Sequence, residues 1–155
     1  MPHTSAGDGF AGLAGAMFRL ILTMDDARSA MGERLGIGVT GLKTLSILNR
    51  EGPSTAGALA AAASITSGSM TATIDKLVLN NLVVREQSSV DRRSVVVDLT
   101  DTGREAMAWV ISHYYEALSA ALPGEDHTAA ITQYLESTSD NIHDLAERVP
   151  RLPRD

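Results

Sequence analysis

The residues with the most informative chemistry lie between Thr66 and Leu77, where small polar side chains alternate with large apolar ones. At helical spacing, Met70, Ile74 and Leu77 form one apolar side of this segment. The opposite side carries only small, polar or basic residues, namely Ser67, Gly68, Thr71, Ala72 and Lys76. Such a side packs poorly against protein but fits a flat polar surface such as the floor of a DNA groove. Its short hydroxyl groups can donate or accept hydrogen bonds there; the alternative is a face that is merely solvated.

Two adjacent arginines provide a second candidate contact. Arg92 and Arg93 lie in a polar stretch between residues 82–87 and 94–99, two short segments that are rich in β-branched residues. This pattern predicts a β-hairpin with a basic tip, which would reach the minor groove or its phosphates. Asp91 would either hold an arginine through a charge-assisted hydrogen bond or only cap the turn. A solvated turn is the alternative for the arginines. The residues predicted to contact DNA are Thr66, Ser67, Ser69, Thr71, Ala72, Lys76, Asp91, Arg92 and Arg93.

The elements around these residues form a recognisable arrangement. Thr55 is placed to cap a short helix over residues 56–62, and Thr66 is placed to cap the next helix after a turn at residues 63–65. Asn80-Asn81 ends that second helix, because asparagine tolerates the left-handed backbone conformation found at helix ends. A helix-turn-helix followed by a two-stranded ribbon predicts a winged helix, mainly α with a small two-stranded β-wing.

Longer amphipathic helices flank this lobe. The first keeps an apolar stripe from Phe10 to Leu35 and is broken at residues 36–39, after which Thr40 is placed to cap the next helix, which ends at Gly52-Pro53. After the wing, Thr100 is placed to cap a helix that reaches Leu122, and a last helix runs to about residue 149. We expect one domain over residues 1–155, with a winged-helix lobe at about 40–104. The terminal helices, at about 8–36 and 105–149, are predicted to pair with a second copy in a two-fold homodimer.

The distribution of charge removes an objection to a nucleic-acid partner. The net charge is −6, but it divides into −1 over residues 1–39, +1 over 40–104 and −6 over 105–155. Near the predicted contacts, a local charge of +2 is counted from Lys76, Arg85, Arg92 and Arg93 against Glu86 and Asp91. Local charge matters more than the total, because the Debye length is about 8 Å at physiological salt.

A family resemblance is carried mainly by the wing. The stretch from Asp91 to Arg104, DRRSVVVDLTDTGR, resembles the wing and following helix start of the MarR (multiple antibiotic resistance regulator) family of bacterial transcription factors. The helix order fits that family from about residue 10 to residue 149. The chain departs from the family pattern at Ala72, where a basic residue is frequent, and at Asn81, where a helix-ending glycine is usual. Further residues that match the family are Gly52-Pro53, Leu59-Ala60, Asp75 and Leu77.

The resemblance implies a homodimeric regulator, a repressor, that binds double-stranded DNA at a pseudo-palindromic operator. Its two recognition helices would enter successive major grooves about 34 Å apart. Many members of the family release DNA when a small, often aromatic acid binds between the dimer helices and the winged lobe. By location alone, the residues expected to line such a pocket are Met17, Met24, Arg28, Leu45 and Trp109. An ordinary core position is the alternative for Met17, Met24 and Trp109.

The remaining composition disfavours several other classes of protein. The absence of cysteine excludes a disulfide framework, a thiol sensor and cysteine-ligated zinc, and it suits a reducing cytoplasm, where we expect the protein. The first five residues lack a basic region and an apolar run, so we expect no signal peptide. No segment approaches the ~20 apolar residues of a membrane-spanning helix, so we expect no membrane partner.

No cofactor, metal or catalytic site is predicted. Two matches to G-x-G-x-x-G, at residues 7–12 and 36–41, do not follow a strand and so predict no dinucleotide site. Asp140, His143 and Glu147 share a helix side that could bind a divalent metal, but a surface salt-bridge lattice is the favoured alternative. No acid/base constellation indicates an enzyme. The remaining alternative is a dimeric ligand-binding or protein-interaction module of this fold with lost or weak DNA binding.

Overall fold

A computed structural model describes residues 6–87, 94–122 and 124–149 of the chain. The elements in chain order are α1 (Ala6–Arg34), α2 (Gly38–Glu51), α3 (Ala56–Ala63), α4 (Ser67–Leu79), β1 (Val83–Gln87), β2 (Val95–Leu99), α5 (Asp101–Ala120) and α6 (Glu125–Arg148). The chain divides into two compact units, Met1–Ile111 and Ser112–Asp155, so that α5 contributes residues to both. Across the described ranges, no helix is long and apolar enough to cross a membrane.

The first unit is a winged helix, as predicted. α3 and α4 form the helix-turn-helix, and β1 pairs antiparallel with β2 in a register that runs from Val83 opposite Leu99 to Gln87 opposite Val95. Each strand begins one residue later than predicted. Leu82 belongs to the turn that ends α4, because its N–H donates to the carbonyl of Leu77 at 3.0 Å. On the side of β2 that faces away from β1, Ser54 exchanges two backbone hydrogen bonds with Val97, at 2.8 and 3.0 Å.

Threonine caps account for three of the four predicted helix starts. The side chains of Thr55, Thr66 and Thr100 accept from the backbone N–H three residues later, at 3.2, 3.2 and 3.0 Å. The prediction for Thr40 is wrong. α2 begins at Gly38, with Ile37 as a cap residue that makes no side-chain hydrogen bond, because Gly36 and Gly38 both adopt a φ of 70° and turn the chain earlier.

The end of α4 explains why asparagine serves at position 81. Asn81 has a φ of 55°, the left-handed conformation that usually favours glycine. Its side-chain amide donates to the hydroxyl of Thr102 at 3.2 Å, and its carbonyl accepts from the hydroxyl of Thr100 at 2.6 Å. Glycine would supply the backbone conformation but not the side-chain bond. Asn81 therefore ties the end of α4 to the start of α5.

The core of the first unit lies between α2, the helix-turn-helix and the ribbon. Met70, Ile74 and Leu77 of α4 are all 0% exposed, which confirms the predicted apolar side. α1 approaches α2 closely at Gly32, where a Cβ would lie 2.6 Å from the backbone of Gly38. The fully buried side chains are Leu42, Thr44, Leu45, Leu48, Leu59, Met70, Ile74, Leu77 and Val97.

Candidate nucleic-acid interface

The exposed side of α4 is the surface that the sequence predicted. Since Met70, Ile74 and Leu77 point into the core, the residues on the other side of the helix are left to solvent. The six predicted contacts on or beside α4 are all exposed, namely Thr66, Ser67, Ser69, Thr71, Ala72 and Lys76. The structure therefore brings these six residues onto one accessible stretch of the molecule. Their contact with DNA stays a prediction.

The turn between α3 and α4 determines the direction of this surface. Ser64 adopts the left-handed conformation, and the N–H groups of Ser64 and Ile65 donate to the carbonyls of Ala61 and Ala60, both at 3.0 Å. This paired closure is typical of a helix C-terminus. Lys43 on α2 adds a third bond, from its ammonium to the carbonyl of Ala63 at 2.9 Å. Lys43 thus anchors the turn to the core, a role that no local sequence signal indicated because its partner is 20 residues away.

Hydrogen bonds within α4 narrow the chemistry of its hydroxyl groups. The hydroxyl of Thr71 donates to the carbonyl of Ser67 at 3.0 Å, and that of Thr73 donates to the carbonyl of Ser69 at 2.8 Å. The sequence left these hydroxyls able to donate or accept. Because their hydrogens point back at the helix, Thr71 and Thr73 present acceptor lone pairs and a methyl group, and Thr73 is only half-exposed.

One ion pair corrects the predicted local charge. The guanidinium of Arg85 on β1 lies 2.6 Å from the carboxylate of Asp75 on α4. The count of +2 took Arg85 without Asp75, which neutralises it and lowers the excess by one. Asp75 and Arg85 were absent from the predicted contacts because their proximity depends on how the ribbon folds back on α4. The three predicted residues of the hairpin tip, Asp91, Arg92 and Arg93, lie outside the described residues.

The residues predicted to line a ligand pocket lie on three helices of the first unit. Met17, Met24 and Arg28 are half-buried on α1, and Trp109 is half-buried on α5. Arg28 pairs with the neighbouring carboxylate of Asp25 on its own helix. Leu45 on α2 is 0% exposed and packs in the core. A ligand role for these five residues stays a prediction.

The residues considered for a metal, Asp140, His143 and Glu147, lie on α6, where Asp144 pairs with Arg148 one turn later at 2.9 Å. The choice between a metal site and a surface salt-bridge lattice at those three residues stays a prediction. Within the parts of the chain that the structure describes, no three His, Cys, Asp or Glu side chains are grouped to hold a metal ion.

Comparison with known proteins gives one consistent family. The model of the MarR family matches residues 39–95, which span α2 to the start of β2. An uncharacterised HTH-type transcriptional regulator of Bacillus subtilis, YcgE, is 43% identical over 68 residues, which are 44% of this chain and 44% of that protein. The matched segment therefore spans less than half of that relative.

Solved structures extend the similarity beyond the winged lobe. A MarR transcriptional regulator from Methanosarcina mazei is 26% identical, with a TM-score of 0.65 over 87% of this chain and 99% of the other. Reduced AbfR, solved bound to DNA, has the same fold at 23% identity, with a TM-score of 0.51 over 85% of this chain and 92% of the other. The matched family and relatives are regulators, which agrees with the prediction that the chain is not an enzyme. In its winged-helix lobe this chain is thus similar to the MarR family of transcriptional regulators, whose family model matches residues 39–95 and whose solved members share its fold.

Proposed function

We propose that this protein is a homodimeric repressor that binds a pseudo-palindromic operator with α4 in the major groove and the wing beside it. The observation that carries the proposal is the two-sided character of α4. Its apolar side is wholly buried, whereas Ser67, Gly68, Thr71 and Ala72 are exposed and small, on a helix that is packed against the core. A helix with small outward side chains can enter a groove about 12 Å wide without clashes.

The relatives support DNA as the partner. The B. subtilis relative is named as a helix-turn-helix regulator, and AbfR carries the same fold on DNA. Charge agrees with this assignment, because residues 105–155 hold the whole net charge of −6 and the remaining 104 residues sum to zero. Acidic residues that are more than a Debye length from the phosphates are largely screened.

Exposed apolar residues support a second copy of this chain as the dimer partner. In the second unit, the apolar stripe along α6 is 43 to 60% exposed at Leu135, Ile142, Leu145 and Val149. On α1, Phe10 and Phe18 are each 69% exposed. Several large apolar side chains exposed along one helix favour an interaction site. Pairing through a two-fold axis would bury these residues and would also give a palindromic site its two reading helices.

Control by a small ligand completes the proposal. Met17, Met24 and Arg28 lie on α1, Trp109 lies on α5, and Leu45 is a core residue of α2, against which α1 packs. A ligand in this region would change the relation of the helices to the lobe and so the spacing of two α4 helices. A change of a few ångströms is enough, since both half-sites must be contacted at once.

A binding measurement at physiological salt tests the proposal. The purified protein is titrated into a labelled duplex from the promoter of the adjacent gene, and its mass in solution is measured in parallel. We expect a dimer that binds this duplex more tightly than a scrambled one. A strictly monomeric protein, or a dimer with no affinity for any duplex, contradicts the proposal. A dimer without affinity for DNA would instead be a ligand-binding or protein-interaction module. The net charge of −6 and the lack of a basic residue at Ala72 agree with that alternative.

A further inference from the structure

The side-chain composition of α4 limits how it can read bases. Specific contacts to guanine and adenine usually come from arginine, asparagine and glutamine, which offer two polar groups at once. The sequence of α4, SGSMTATIDKLVL, contains none of these three residue types. Lys76 is its one cation and lies in the third turn, away from the N-terminal residues that meet base edges first. Base reading by α4 therefore has to use smaller groups.

Thr71 is held in a state that offers a methyl group rather than a donor. Its hydroxyl hydrogen is directed at the carbonyl of Ser67, 3.0 Å away, and the side chain is exposed. The outward chemistry of Thr71 is thus its γ-methyl group and the remaining oxygen lone pairs. A rotamer held by this bond keeps the methyl in one position before any partner arrives.

Ala72 continues the same apolar surface. It lies at the middle of the exposed side, opposite Met70 and Ile74, and presents only its own methyl group. One turn earlier, Gly68 has an ordinary negative φ and open space around the position of a Cβ. Because no side chain projects from Gly68, the backbone of α4 is accessible to a close external approach there.

We propose that Thr71 and Ala72 read the 5-methyl groups of thymine, so that thymines at defined positions of each half-site determine specificity. This inference rests on the proposed function, since it assigns the reading chemistry of the same surface. Threonine and alanine methyl groups are suited to contact with the thymine methyl, which protrudes into the major groove and is the feature that uracil lacks. The absence of a side chain at Gly68 lets the helix lie close enough for this contact.

The test replaces thymine by uracil in DNA that the protein has itself selected. A random duplex pool is enriched on the purified protein, and the selected duplex is synthesised with thymine or with uracil at one half-site position at a time. At the positions read by Thr71 and Ala72, we expect affinity to fall about fourfold for each methyl group removed. At other positions uracil should change affinity by less than about twofold, within ordinary scatter of such measurements.

Paired variants assign the effect to Thr71. T71S keeps the hydroxyl and loses the methyl, so it should bind thymine and uracil duplexes equally at its position. T71V keeps a methyl and should retain the discrimination. T73S is the matched control, because Thr73 makes the same bond back to the helix, at 2.8 Å to Ser69, but lies half-buried toward the core side. It should discriminate as the parent does. Circular dichroism of each variant confirms that α4 remains folded.

The outcomes separate this inference from the proposed function. Equal affinity for thymine and uracil duplexes at every position, with DNA still bound, overturns methyl reading and leaves the regulator intact. Discrimination that persists unchanged in T71S assigns the reading elsewhere and overturns the role of Thr71. Failure to enrich or bind any duplex overturns the proposed function and this inference with it.

Discussion

Asp75 on α4 and Arg85 on β1 form an ion pair, with 2.6 Å between the carboxylate and the guanidinium. The pair joins α4 and β1, the two elements that the proposed function places against DNA, although ten residues separate the partners. Both side chains are about half exposed, at 57% and 41% for Asp75 and Arg85, so the pair contributes about 0–1 kcal/mol to stability. The pair also neutralises the charge of an arginine on the wing, so under the proposed function it removes one cation from the surface that faces phosphate.

Removing the acid should strengthen DNA binding. In D75N, Arg85 loses its partner and one negative charge leaves the surface, so we expect tighter binding and a salt slope steeper by up to about one unit. The complementary variant R85A leaves Asp75 unpaired near phosphate and should bind more weakly. Fluorescence anisotropy over a range of salt concentrations measures both.

A matched control removes the same charge away from the surface. D144N deletes an acid of α6 that pairs with Arg148 at 2.9 Å, outside the winged lobe. Its affinity and salt slope should equal those of the parent. Equal changes of affinity and salt slope in D75N and D144N would show that DNA binding depends only on the net charge and not on the Asp75–Arg85 pair.

The wing arginines should supply sequence-independent affinity. In R92A and R93A we expect weaker binding to all duplexes and a salt slope that decreases by about one for each lost phosphate contact. R50A is a suitable control, since Arg50 is exposed at the end of α2 and already pairs with Glu51. If the salt slope is unchanged in a variant that carries both R92A and R93A, the wing does not contact phosphate.

The close approach of Gly103, at the start of α5, to the backbone of Leu82 should leave no room for a side chain. A Cβ at Gly103 would lie 2.0 Å from the carbonyl oxygen of Leu82, which already accepts from the N–H of Thr100 at 3.1 Å. We expect G103A to lower the free energy of unfolding by about 2–4 kcal/mol, because backbone must move. Denaturant titration at one protein concentration measures this.

Gly57 provides the contrasting position. It also lies in a helix, yet nothing within 4 Å would meet its Cβ. G57A should raise stability by about 0.5–1 kcal/mol through the loss of chain freedom in the unfolded state. If G103A is as stable as G57A, the packing around Gly103 is looser than described.

The apolar stripe of α6 should control assembly. Ile142 is 53% exposed on that stripe, and I142E would place a charge in the proposed interface. We expect a monomer by light scattering and loss of tight operator binding, because a single half-site has about half of the contacts. Q133E, on the opposite side of α6, adds the same charge and should remain dimeric.

Local interactions made much of this structure predictable from the sequence. The caps at Thr55, Thr66 and Thr100 each join residues three apart, and the buried side of α4 follows from helical periodicity alone. Such signals need only the chain's near neighbours. Local signals compete at Thr40, where two glycines with positive φ start α2 three residues earlier than a cap at Thr40 would.

The tertiary structure decided what depends on distant residues meeting. The Asp75–Arg85 pair, the bond from Asn81 to Thr102 and the bond from Lys43 to Ala63 each arise only when the ribbon, α5 or α2 takes its place. The bond from Thr71 to Ser67 differs from these, because it joins residues four apart within α4. The sequence by itself therefore determined which side of α4 is outward, whereas packing determined the charge beside it, because Asp75 and Arg85 meet only when the ribbon folds back on α4.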